Sequence, residues 1–139
     1  MKSFLLSISF YFMLTTLYAQ DKVNIFVNEK AVSHFIIGEE PVTISLKRFN
    51  VLKTKNISVN YQVVNPSPYK QSLELTDLKE QHNTVIPLHG TKKENIYAAL
   101  KKYKFFKCEN IKIYLLLNPA NDMMLMPSRR IYLGELTIK

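Results

Sequence analysis

A mainly β fold, two sheets packed face to face, is what this 139-residue chain predicts, and three observations carry the prediction. Apolar residues recur with period two along most of the chain. Turn-forming residues cut that alternation into short runs, and a single stretch shows helical spacing instead. About seven to eight short strands with one late helix fit a two-layer β-sandwich better than an α/β fold, and an immunoglobulin-like arrangement is the expected form. The Cys…Trp…Cys framework of true immunoglobulin domains is absent, because the chain has one Cys and no Trp.

The chain opens with MKSFLLSISFYFMLTTLYA, which reads as a secretory signal peptide over residues 1–19. Lys2 supplies the basic start, Phe4 to Leu14 form an apolar core interrupted by Ser7 and Ser9, and small Ala19 precedes Gln20 and Asp21. The apolar stretch is shorter than the roughly 20 residues that a membrane span requires. Leu17, three residues before the cut, leaves the exact bond open by a few residues. Residues 20–139 are then a single exported domain, secreted or periplasmic, and the peptide is bacterial in style. No Cys follows the apolar core, so a lipid-anchored form is not expected.

Along the exported part, Val23, Ile25 and Val27 share one face of a first strand, with Asn24 and Asn28 on the other. Gly38-Glu39-Glu40-Pro41 is a break, after which Val42, Ile44 and Leu46 alternate with Thr43, Ser45 and Lys47. Ile57, Val59, Tyr61 and Val63 repeat the pattern up to Asn65-Pro66-Ser67-Pro68. Leu73 and Leu75 flank Glu74, and Ile111, Ile113, Leu115 and Leu117 give a long apolar face. Tyr114 and Leu116 make the opposite face of that strand apolar too, so either the helix or a partner must cover it. In the last run, Arg130 to Ile138, the apolar phase shifts across Gly134, which predicts a β-bulge there.

The helical stretch follows His89-Gly90. Thr91-Lys92-Lys93-Glu94 has the form of a capping box, and Ile96, Ala99, Leu100 and Tyr103 recur at helical spacing. A short amphipathic helix over residues 92–103 is the expectation.

Charge and chemistry limit the function. Lys2 is the one charged residue of the signal peptide, so the exported part keeps 18 bases against 11 acids, a formal +7. Residues 91–139 hold ten of the bases and four of the acids, which is +6 of that total. A domain of this size can bury roughly 65% of its unfolded surface. Stability must come from that packing, because Cys108 is the sole cysteine and is either buried or a free thiol. HExxH, GxSxG and CxxC motifs are absent, and three glycines form no phosphate-cradling loop. Glu39 and Glu40 read as a solvated turn, and no enzyme chemistry is expected.

The basic aromatic segment from Lys92 to Lys112 is the main functional candidate. It carries seven lysines against Glu94 and Glu109, interleaved with Tyr97, Tyr103, Phe105 and Phe106. Lys93, Lys101, Lys102, Lys104 and Lys107, with Tyr97, Tyr114, Arg129 and Arg130, are the expected contacts for an acidic protein or an anionic envelope polymer. Nucleic acid is not expected, since an exported protein seldom meets it and no binding module for it is present. The bland alternative is a helix whose lysines keep it soluble. A second candidate is Met123-Met124-Leu125-Met126. Met124 and Met126 with Cys108 or His89 offer the soft donors that Cu(I) prefers, while flexible Met is equally suited to filling gaps. A purely structural envelope component is the third reading. Asn56-Ile57-Ser58 is a glycosylation sequon, relevant only in a eukaryotic secretory pathway.

Overall fold

The computed structural model describes residues 20–64, 67–102, 110–121 and 125–139. The signal-peptide reading of residues 1–19 lies outside these. Among the described residues no helix is long and apolar enough to cross a membrane.

The fold is a two-layer β-sandwich. Among the described residues, nine strands run in the order β1 (Lys22–Val27), β2 (Lys30–Ile36), β3 (Val42–Leu46), β4 (Ile57–Gln62), β5 (Tyr69–Thr76), β6 (Asn83–Pro87), β7 (Glu94–Asn95), β8 (Asn110–Pro119) and β9 (Arg129–Ile138). The described residues also form two short helices, α1 (Arg48–Thr54) between β3 and β4, and α2 (Tyr97–Lys102) after β7. One sheet has the order β2-β1-β4-β7 and the other β3-β9-β8-β5-β6. All neighbouring strands pair antiparallel except β3 and β9, which run parallel.

The period-two faces meet between the sheets. Val23, Ile25, Ile57 and Val59 pack from one side against Leu73, Leu75, Ile113 and Leu115 from the other, all at most 2% exposed. Every strand expected from alternation is present, and three others are not legible as such. In β2 the outward residues dominate and only Phe35 is fully buried. In β6 every second residue is exposed, and β7 is two residues long. In α1 Val51 alone is buried, too little for a helical period to register.

The expected bulge is in place. Ile113 pairs with Gly134 and Tyr114 with Tyr132, so Leu133 is the extra residue. Gly134 has φ +140, and a Cβ there would sit 1.9 Å from the carbonyl oxygen of Val42 on the parallel neighbour β3. Only glycine lets the two backbones approach so closely.

The helix expected over 92–103 is present at Tyr97–Lys102, and its start requires correction. Residues 90–96 instead serve as an edge for β4. Tyr61 N–H donates to Gly90 at 3.0 Å, Ser58 pairs with Asn95, and Ile96 N–H donates to Ile57 at 2.8 Å. The backbone demand of the β4 edge outweighs the local capping signal. Glu94 accordingly bonds His89 (3.0 Å) rather than closing a capping box. The helix opens at Tyr97, whose N–H donates to Asn95 Oδ1 at 2.8 Å. Its expected stripe still works, with Ile96 and Leu100 buried in the core.

Candidate interaction surface

The outward face of the five-stranded sheet carries the densest side-chain organisation. Antiparallel register sets Tyr114 of β8 opposite Tyr132 of β9, with ring centroids 5.1 Å apart and planes tilted by 43°. Arg130 projects from the same face of β9 two residues earlier, and its guanidinium lies 3.6 Å from the Tyr114 ring centroid. Glu74 of β5 is the cross-strand partner of Tyr114 on the other side.

Two carboxylates hold this stack. Arg130 Nε donates to Glu74 Oε2 at 2.7 Å, and Asn83 of β6 donates to the other oxygen of Glu74 at 3.1 Å. Glu74 is 7% exposed, and both its oxygens are therefore paired. Glu80 comes from the turn between β5 and β6. It accepts from the Tyr114 hydroxyl and lies 3.8 Å from Lys112 Nζ and 3.7 Å from Arg130 Nη2. The turn is itself fastened, because Asp77 accepts from Gln81 N–H at 2.8 Å and pairs with His82 Nδ1 at 2.9 Å. Of the strand face that the sequence left needing a cover, Tyr114 lies beneath the Arg130 guanidinium and is tied to the β5–β6 turn by Glu80.

The electrostatics follow from these bonds. The Tyr114 hydroxyl bond, with help from Lys112 and Arg130, holds the Glu80 carboxyl below the ordinary carboxylate range. Burial first, and the Glu80 charge second, push the Tyr114 hydroxyl up to about 12. The Tyr132 hydroxyl is raised by burial and by nearby Glu135. Chemically, the arrangement is a preorganised π surface with a fixed guanidinium, and Tyr132 and Val85 of β6 stand exposed beside it.

The other expected contacts are distributed elsewhere. Lys93 lies 2.9 Å from Glu29 Oε2 and 4.3 Å above the Phe26 ring, on the outer face of the other sheet. Tyr97 opens α2 half-buried against the core, Lys101 is exposed, and Lys102 ends the helix. Arg129 borders a cavity of about 380 Å³ at one end of the sandwich, with Asp21, Tyr61, Tyr69, Leu117 and Ile131. There Asp21 accepts from the Tyr61 hydroxyl (3.0 Å) and from Val64 N–H (2.8 Å). Burial and the Asp21 charge raise the Tyr61 hydroxyl further still. Lys104, Lys107, Cys108 and Met124 lie outside the described residues. Of the copper candidates, Met126 is exposed and His89 is paired with Glu94. Among the described residues no three His, Cys, Asp or Glu side chains are placed to share a metal ion.

Sequence reasoning named Tyr114 and Arg130 but not what joins them. Glu74 was legible as an outward residue between Leu73 and Leu75, and its pairing with Arg130 required the order β5-β8-β9. Glu80 and Tyr132 carried no separate signal. The chain matches no protein-family model, and a search of curated proteins finds no similar sequence.

Proposed function

We propose that the protein is an exported, non-enzymatic binding or adaptor module of the cell envelope or extracellular space. Its contact surface is the Tyr114–Arg130–Tyr132 face, with the lysines of residues 92–107 providing longer-range attraction for an acidic partner. Export rests on the signal-peptide pattern of residues 1–19.

One observation carries the binding reading: two tyrosines and an arginine are stacked on a sheet and fastened by Glu74 and Glu80 before any partner arrives. Tyr and Arg dominate the energetics of protein interfaces, and a prearranged side chain loses little entropy on binding. Because Glu74 and Glu80 offset the charges of Arg130 and Lys112, this face favours an acidic protein of mixed polarity over a uniformly anionic polymer.

The test is capture of partners from the native envelope by the processed protein and by two variants. Tyr132→Ala removes half of the aromatic pair. Lys101→Glu, Lys102→Glu, Lys104→Glu and Lys107→Glu together reverse the attraction. The expected results are loss of the partner with the first variant and weakened, salt-insensitive capture with the second. Capture unchanged by either variant, with no salt dependence in the unaltered protein, would sink the reading.

A further inference from the structure

A second surface lies around α1, away from the tyrosine face. The segment from Lys47 to Asn56 carries Lys47, Arg48, Lys53 and Lys55 and no acid. Its nearly balanced surroundings in the sequence hide this concentration, because the acids of residues 20–90 lie outside it. On the helix, Phe49, Leu52 and Lys53 fall on one side at spacings of three and four. Phe49 is 73% exposed and Leu52 44% exposed, while Val51 turns inward to complete burial. Lys53 Nζ stands 5.7 Å from the Phe49 ring centroid.

The turn of the β1–β2 hairpin extends the surface. A cleft of about 360 Å³ separates it from α1, lined by Val27, Lys30, Val32, Asn50, Lys53 and Thr54 among others. Val32 is 47% exposed. Glu29 is the acid at this turn, and it is occupied by Lys93 (2.9 Å) and by the Asn56 amide (3.2 Å). Exposed Phe and Leu side chains are therefore flanked by lysines, and the acidic side chain at the hairpin turn is engaged elsewhere.

From this combination we infer that α1 and the β1–β2 turn form a docking surface for an anionic lipid membrane. Phe49 and Leu52 enter the boundary between headgroups and acyl chains, while Lys30, Lys47, Lys53 and Lys55 meet lipid phosphates. The charge complementarity selects an anionic occupant. The exposed Phe and Leu select a lipid over a soluble polyanion, which would offer them no apolar contact. Both features come from one short helix, so the contact is reversible and peripheral. It is independent of the tyrosine face, which can engage a partner while α1 rests on the membrane.

The experiment is co-sedimentation of the processed protein with vesicles of phosphatidylcholine alone, and of phosphatidylcholine mixed with an equal amount of phosphatidylglycerol. The protein is expected to bind the anionic vesicles preferentially and to be released by salt. Phe49→Ser with Leu52→Ser is expected to weaken partitioning about tenfold or more. Lys53→Glu with Lys55→Glu is expected to weaken it by at least roughly fivefold per lysine. All four positions are exposed, and circular dichroism checks that each variant keeps its fold. No sedimentation with anionic vesicles overturns the inference. So does binding that Phe49→Ser with Leu52→Ser leaves unchanged, since the attraction would then be purely ionic. Capture of an acidic protein through α1 without vesicle binding overturns it as well. None of these results depends on whether Tyr132→Ala abolishes capture of a partner.

Discussion

Replacing Gly134 by Ala tests the packing of β3 on β9 at the point where the structure leaves no room. The residue has φ +140, which L side chains rarely adopt, and the strain of forcing one there is about 1–3 kcal/mol. The new Cβ would also meet the Val42 carbonyl oxygen at 1.9 Å and the Val42 nitrogen at 2.8 Å. These are backbone atoms, so β3 itself must move. That motion disturbs the parallel ladder from Val42–Gly134 to Leu46–Ile138 and lifts Ile44 and Leu46 from the core. Overpacking of this kind costs about 1–3 kcal/mol more. The expected loss is about 4 kcal/mol, a large part of the roughly 5–15 kcal/mol that holds a domain together. For a chain of this size it lowers Tm by roughly 12–24 °C. Gly38→Ala is the control, because Gly38 also has positive φ (+91) but nothing lies within 4 Å of its Cβ position. Only the conformational cost, about 1–2 kcal/mol, applies there. Urea unfolding of both variants reads the difference. Equal losses would refute the reasoning, for they would mean that β3 does not press on Gly134.

Three further outcomes follow from the same contacts. Leu100→Ala, at a side chain with 0% exposure, is expected to destabilise by about 2–5 kcal/mol, and thermal unfolding of this variant checks that α2 belongs to the core despite its brevity. The carboxyls of Glu29, Asp77, Glu80 and Glu94 all lie below their ordinary range through bonds to Lys93, His82, Tyr114 and His89 respectively. Depressed native values stabilise the fold above the unfolded value, so denaturant midpoints are expected to fall as pH drops below about 4.5, and a flat acid profile would contradict the pairings. At the alkaline end the sign reverses. A Tyr114 value raised to about 12 leaves its contribution intact below pH 10 and removes it as pH climbs, and tyrosinate absorbance should show this late titration.

How much the sequence disclosed depends on how far each feature reaches along the chain. β1, β3, β4, β5, β8 and β9 were legible because apolar residues recur with period two along each, even in β4 and β5 where the intervening Ser58, Asn60 and Glu74 are buried as well. The bulge was legible because Gly134 marks the phase shift itself. By contrast, β2, β6 and β7 are edge elements whose pairing partners, rather than their own apolar pattern, create them. Residues 90–96 show the conflict most plainly. A sound local capping signal at Thr91 yields to the hydrogen-bonding demand of β4, a strand about thirty to forty residues earlier. The surface was read least completely. Tyr114 and Arg130 were named for their chemical type, yet their union requires β8 beside β9 and a turn that brings Glu80 over both. Lys93 was named as a contact for an anionic partner and is held by Glu29, 64 residues away in sequence. The basic character of α1 was masked by averaging charge over residues 20–90.

The most direct test of the proposed binding role is the affinity of a captured partner for the unaltered protein and for Tyr132→Ala, measured by calorimetry. An interface anchor contributes about 2 kcal/mol or more, so Kd should rise roughly thirtyfold. The Tm should stay close to that of the unaltered protein, because Tyr132 is 36% exposed and outside the core. An unchanged Kd in a folded Tyr132→Ala protein would contradict the account.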